Sequence, residues 1–310
     1  MKIPLFDPGD DPGPSFTGLL EKLGLYPQHL RAPMAVPGPL AGAPGNLGSP
    51  APSIPHGTTV VAVRYADGVL MAGDRRATAG NLISHRSIEK VFPADSHSVV
   101  GIAGAAGPAV ELVRLFQLQL EHYEKVEGTR LSFEGKANQL GAMIRGNLAA
   151  AMQGLAVVPL FAGYDLRRNS GRLIQYDVTG GRYEERDHAA TGSGSLHAGT
   201  VLRVGYREGM SRDEVIDLAL EALYRASEED AATGGPDLLR GIFPIIMLVT
   251  ASGYERVSDD ELRERTEALL SRVAAQRATA GGAEPTAVVT DRAAPDGTTA
   301  TGKTTEGAAP

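Results

Sequence analysis

The sequence predicts an α+β chain built as a four-layer αββα sandwich, with two antiparallel sheets flanked by helices. Three observations predict it. Strand-like runs come in pairs joined by short turns, helical patterns also come in pairs, and the resulting order is ββ(β), αα, ββ, αα, β, α. That order lacks the strict βαβ alternation of a parallel doubly wound sheet.

The first pair is "TTVVAVRY" and "VLMAGD" flanking "ADG", where an Asp-Gly dipeptide signals a hairpin whose turn needs positive φ. "SVVGIAG" continues the strands. Two helical patterns follow: Val110, Val113, Phe116 and Leu120 share one face, and Leu140, Met143, Ile144, Leu148 and Ala151 share another. "PLFAGYD" and "GRLIQYDVTGG" restore strand character. Ser211 to Glu214, "SRDE", is a capping box that opens a helix running to about Glu229. "FPIIMLVTA" is the next strand, and "SDDE" at Ser258 to Glu261 caps a last helix.

Outside this body the composition changes. Twelve of the twenty prolines fall in residues 1–57, interleaved with Gly, Ala and Ser. Such a segment buries too little apolar surface to offset its ordering entropy, so it reads as a disordered leader. Residues 277–310 have the same low-complexity character and are expected to form a disordered tail. One compact domain is left, 58–276.

Composition also excludes functions. The net charge of -7, with no dense Lys/Arg cluster, argues against a nucleic-acid partner. Zero cysteines exclude disulfides, zinc–cysteine sites and a thiol nucleophile, and suit a reducing compartment. The N-terminus has no apolar signal core, and the longest apolar run, "IFPIIMLVTA", is too short to span a bilayer. A cytoplasmic protein away from membranes is expected.

The chain contains no G-x-S-x-G elbow, Walker loop, H-E-x-x-H pair or G-x-G-x-x-G turn between strand and helix. What is left is "HGTTVVAV", where the leader meets the first strand. A hydroxyl nucleophile needs a base, and a residue made N-terminal by cleavage carries one in its own α-amine, which ordinarily titrates near 8. Gly57 has no Cβ, so the Thr58 hydroxyl can approach the carbonyl just before it. Taken alone, "GTT" reads more readily as a loop entering a strand, where threonine is common.

Taken with "GDRRATAGNLISHRSIEKVF", "GIAGAAG", "ATGSGS" and "EEDAATGGPD", this stretch resembles the β subunits of the 20S proteasome, which are N-terminal-nucleophile threonine proteases with the Ntn-hydrolase fold. The resemblance covers about residues 58–275, and "RGNLAAAMQG" and "TGGPDLLRGIFP", with the long leader, look more like actinobacterial members than archaeal or eukaryotic ones. The specific element is spacing: Asp74 lies sixteen residues after Thr58, and Lys90 thirty-two. The resemblance implies that cleavage after Gly57 frees Thr58 as the nucleophile, with its amine as the base. Lys90 would sit beside that amine and lower its pKa, and Asp74 would hold Lys90 charged. Gly104 would give its backbone N–H to an oxyanion hole. Ser193 and Asp230 would support the amine. Thr233 stands where the family often has serine, which keeps the hydroxyl but adds a methyl. Arg76 matches a position with a structural role. Ala77, Ile88, Phe92, Ile102, Ala106 and Val110 would line an apolar pocket for the residue before the scissile bond, each being equally readable as core. The backbones of Thr78 and Ala106 would pair with an extended substrate.

No cofactor or metal is implied. The partners implied are α subunits and further β subunits in a 28-subunit barrel of four heptameric rings, a regulatory ATPase ring acting through the α rings, and protein substrates. The competing readings are another Ntn amidohydrolase, a simpler two-ring bacterial peptidase of the same fold, and a catalytically silent ring subunit. His56 and "GNLAAAMQG" carry no assignment.

Overall fold

The computed structural model describes residues 57–281. Apolar residues dominate both faces of the first strands, so each strand must be covered twice, and the layers follow from that requirement. Strand β1 (Thr59–Tyr65) turns into β2 (Gly68–Gly73). One sheet has the order β10–β1–β2–β11–β12, with β10 His188–Gly192, β11 Ile245–Thr250 and β12 Gly253–Arg256. The other runs β5–β6–β7–β8–β9, through Val91–Asp95, Ser98–Gly104, Val157–Asp165, Ser170–Tyr176 and Arg182–Glu185. A separate hairpin pairs β3 (Ala77–Ala79) with β4 (Leu82–His85), and every strand pair is antiparallel.

Strand alternation sorts the side chains into three cores. Val60 and Ala62 of β1, Met71 of β2, Leu160 of β7 and Met247 of β11 meet between the sheets. Val61, Val63 and Leu70 point the other way, against α3 (Ser195–Gly205) and α4 (Arg212–Glu229). Across the second sheet, Val100, Phe161 and Ile174 pack under α1 (Ala106–Glu127) and α2 (Phe133–Gly146). Phe161 anchors that layer, stacked on Phe133 at 5.1 Å and edge-on to Phe116 at 5.9 Å between ring centroids. Three cores between four layers are the predicted αββα sandwich.

Local signals held where a specific bond forms. Ser211 accepts from the Glu214 N–H at 3.3 Å, and Glu214 accepts from the Ser211 N–H at 2.9 Å, completing the capping box of α4. Ser258 accepts from the Glu261 N–H at 3.2 Å and opens α5 (Asp259–Gly281). One compact unit extends through Leu270; the rest of α5 belongs to a second unit and is helical to Gly281. The helix thus passes residue 276, because the Ala- and Arg-rich run that follows favours helix up to the Gly281–Gly282 pair. The expected leader, apart from Gly57, and the tail beyond 281 lie outside the described residues. Among the described residues no helix is long and apolar enough to cross a membrane.

Two expectations need correcting. The β1–β2 hairpin exists, but Tyr65 pairs with Gly68, the turn is Ala66–Asp67, and Gly68 has no positive φ. Its glycine serves packing instead: a Cβ there would lie 2.0 Å from the Val249 carbonyl oxygen of β11. The second helical face also stops short of Leu148 and Ala151. Asn147 ends α2, its backbone N–H reaching the Met143 and Ile144 carbonyls and its side-chain amide donating to Met143 O at 3.2 Å. A short helical turn and a π-turn over Ala151–Leu155 follow, with Leu148 and Met152 exposed.

Candidate active site

The site forms where the ends of both sheets meet. β1 begins at Thr59, so Thr58 is held at the mouth of the sandwich; β2 ends at Gly73, which delivers Asp74; β5 begins at Val91, which delivers Lys90; and β6 ends at Gly104. Thr58, Lys90 and Gly104, with Gly57 and largely apolar side chains, line a cavity of ≈ 360 Å³.

Asp74 is 1% exposed and accepts four hydrogen bonds. Oδ1 takes Lys90 Nζ at 2.7 Å and the Thr59 N–H at 2.8 Å; Oδ2 takes the backbone N–H groups of Arg76 at 2.9 Å and Gly234 at 2.8 Å. Lys90 in turn donates to Asp74, to Arg76 O at 2.6 Å and to Gly57 O at 3.1 Å. Burial pushes the Lys90 pKa down, and the Asp74 charge beside it pushes back up. Three acceptors around one nitrogen match the three protons of an ammonium.

The Thr58 hydroxyl also reaches Gly57 O, donating at 2.7 Å, and Thr58 is 6% exposed. The carbonyl before Thr58 is therefore held by a hydroxyl and a cation together. Gly57 sits tightly: a Cβ there would come within 2.5 Å of Ala232 Cβ and 2.8 Å of Thr78 Oγ1.

On the other side, the Thr58 N–H faces Ser193 Oγ at 3.4 Å, and Ser193 donates to Asp230 Oδ2 at 2.5 Å. Thr233, fully buried, donates to the same carboxylate oxygen at 2.6 Å, so its extra methyl leaves this bond intact. Burial alone would raise the Asp230 pKa, but the donated bonds from Ser193 and Thr233 hold it below the ordinary carboxylate value. Arg76 donates to Ala231 O at 2.9 Å and braces the same loop.

Gly104 has φ +113, and a Cβ there would lie 2.1 Å from Ala156 O. α1 starts two residues later with no acidic residue in its first turn and no side-chain cap, so its positive end, through Ala106 and Gly107, borders the cavity. Ala77, Thr78, Ile88, Ile102, Ala106 and Val110 also line it. Phe92 does not: alternation along β5 sends Val91 between the sheets and Phe92 into the core under α1. Sequence reasoning missed Ser84 and His85 at the β4 end, Glu89 beside Lys90, and Leu155 at the end of the π-turn, all of which line the cavity. It also missed Thr59, Gly194 and the Gly234 amide, whose only sequence signal was adjacency to predicted residues. Among the described residues no group of His, Asp and Glu side chains is arranged to hold a metal.

A four-layer sandwich with a buried threonine, lysine and aspartate at the ends of its sheets has the architecture of the Ntn hydrolases. The model of the family described as proteasome subunit matches residues 54–237. A proteasome subunit beta of Acidimicrobium ferrooxidans is 55% identical over 264 residues, covering 85% of this chain and 92% of that protein. One of Streptomyces griseus is 56% identical over 233 residues, covering 74% and 83%. The chain belongs to the proteasome subunit family, as a proteolytic subunit of the threonine endopeptidase type that assembles with other proteasome subunits.

Proposed function

We propose that Thr58 is the nucleophile of this endopeptidase and that the chain cleaves its own Gly57–Thr58 bond to free it. The observation that carries this reading is the shared Gly57 oxygen, which accepts both the Thr58 hydroxyl and the Lys90 ammonium. In maturation, Thr58 Oγ1 attacks the Gly57 carbonyl carbon while Lys90 stabilises the charge growing on its oxygen. The C–N bond to Thr58 breaks, the acyl group passes to Oγ1 as an ester, and the hydroxyl proton goes to the nitrogen. Water hydrolyses the ester and releases residues 1–57 as a carboxylate.

In turnover the freed α-amine is the base that takes the hydroxyl proton. Lys90 keeps that amine's pKa down, Asp74 fixes Lys90, and the Gly104 N–H with the start of α1 stabilises the oxyanion. Ser193, Asp230 and Thr233 orient the amine. The acyl-enzyme ester holds the amino-terminal fragment of the substrate until water releases it. Ala77, Ile88, Ile102, Ala106 and Val110 favour an apolar residue before the scissile bond. β3, which among the described residues pairs with β4 alone, leaves a backbone edge at Thr78 for an extended substrate. In this reading residues 1–57 keep the nucleophile blocked until assembly, 58–276 are the catalytic domain, and the subunit works in the cytoplasm. It does so within a 28-subunit barrel of four heptameric rings fed by an ATPase ring.

The test is the intact mass and N-terminal sequence of the chain after co-expression with its α-type partner, for wild type and Thr58→Ala. Wild type should begin "TTVVAV" and the variant should keep residues 1–57. Removal of the leader from both would overturn self-cleavage, and retention by both would overturn the nucleophile.

A further inference from the structure

The side chain of the second threonine of "GTT" has no part in the reading above, yet the residue is completely buried and its hydroxyl is bonded on both sides. Thr59 Oγ1 accepts the Gly194 N–H at 3.1 Å and lies 2.5 Å from Thr233 Oγ1. A hydroxyl has one proton, so the direction of every bond in this chain can be deduced. Thr233 spends its proton on the Asp230 carboxylate, which accepts only. The proton between Thr59 and Thr233 must then come from Thr59. Ser193 likewise gives its proton to Asp230 at 2.5 Å rather than to Thr58 O at 3.3 Å. The Ser193 oxygen is left to accept from Thr58 N.

We propose that Thr59 is a positioning residue: its hydroxyl, anchored by the Gly194 amide, locks a one-way relay through Thr233 to Asp230, which keeps Ser193 in the acceptor orientation that faces the Thr58 nitrogen. This deepens the proposed Thr58 mechanism and rests on it. Packing ties the relay together, since a Cβ on Gly194 would fall 2.4 Å from Thr59 Oγ1, 2.7 Å from Thr233 Oγ1 and 3.2 Å from Asp230 Oδ2. Gly194 is thus wedged over the whole chain of oxygens. Thr59 acts through these groups and touches no substrate, so its signature is in proton handling rather than in substrate affinity.

Three variants of the full chain, co-expressed and assembled with the α-type partner, test it: Thr59→Val, which keeps the shape and loses the hydroxyl; Thr59→Ser, which keeps the hydroxyl; and Thr58→Ala. Hydrolysis of an apolar fluorogenic peptide is followed across pH, with assembly and thermal midpoint measured alongside. For Thr59→Val, kcat should fall at least tenfold with KM within twofold of wild type. The acid limb of its pH profile should move upward, because Asp230 has lost the fixed orientation of a donor. Thr59→Ser should recover kcat to within threefold and restore the limb. Equal losses in Val and Ser would overturn the proposal in favour of packing, and so would a Val profile superimposable on wild type. If Thr58→Ala remains active, the underlying mechanism has failed instead; if Thr58→Ala is inert while Thr59→Val is normal, only the relay has failed.

Discussion

Replacing Asp74 by asparagine should be the most damaging single-atom change in the site. The carboxylate accepts four donors, two on each oxygen. An amide keeps one accepting oxygen and turns an NH₂ toward the other pair. With the oxygen kept toward Lys90, the N–H groups of Arg76 and Gly234 are orphaned in a buried place, at a cost of about 1 kcal/mol or more each. The buried Lys90 ammonium also loses its counter-charge, which costs about 3 kcal/mol or more. The sum, about 5 kcal/mol, reaches the lower end of a typical domain's whole stability. Lys90→Met should cost less, about 2 kcal/mol, because Asp74 keeps three backbone donors. The double variant should fall short of the sum of the two by about 3 kcal/mol, since no unpaired cation remains. Urea unfolding of the full-length chain in a Thr58→Ala background measures all three, and intact mass in the Thr58 background reads leader removal, which each should abolish. Lys90→Met costing as much as Asp74→Asn would refute the four-donor account.

Gly104→Ala places a methyl 2.1 Å from the Ala156 carbonyl oxygen at φ +113, so it should destabilise by at least about 2 kcal/mol in urea and depress peptide hydrolysis. Asp230 has a folded pKa below its ordinary 3.8, so it stabilises the fold above that pH and the contribution is lost as pH falls toward the folded value. Asp230→Asn should therefore flatten the stability profile as pH falls through and below the ordinary carboxylate value, as followed by thermal midpoint. Ala77→Leu narrows the cavity and should cut kcat/KM about tenfold for peptides with a large aromatic residue before the scissile bond, with a smaller loss for alanine there. Equal losses for both peptides would remove Ala77 from the specificity pocket.

The layers were legible because burial on both faces writes itself into continuous apolar runs, as in Thr59–Tyr65 and Ile245–Thr250, and because caps such as Ser211 with Glu214 announce helix starts. The short elements were not. β4 and β9 have four largely exposed residues each and β3 has only three residues in all, so no hydrophobic period marks them. Phe92 was misassigned because its apolar character fits pocket and core equally, and only the alternation along β5 separates them. Thr59 was invisible for a related reason. A threonine in a strand needs no explanation from the sequence, and the partners that give it one, Gly194 and Thr233, lie 135 and 174 residues away.

Gly57 shows how the fold and the proposed chemistry come to constrain one residue. A glycine before the proposed nucleophile is intelligible from sequence as easing the approach of the hydroxyl to the carbonyl, and the structure supplies a stronger reason. The space for a side chain is already filled by Thr78 from β3 and Ala232 from the loop after α4, both within 3 Å of where a Cβ would be. Those neighbours leave one place for the peptide unit, and in that place its oxygen meets Lys90 and Thr58 together. A larger residue would have to shift the carbonyl off the ammonium before it could fit. Thr78 also lines the cavity, so under the proposed self-cleavage one packing constraint would serve maturation and turnover alike.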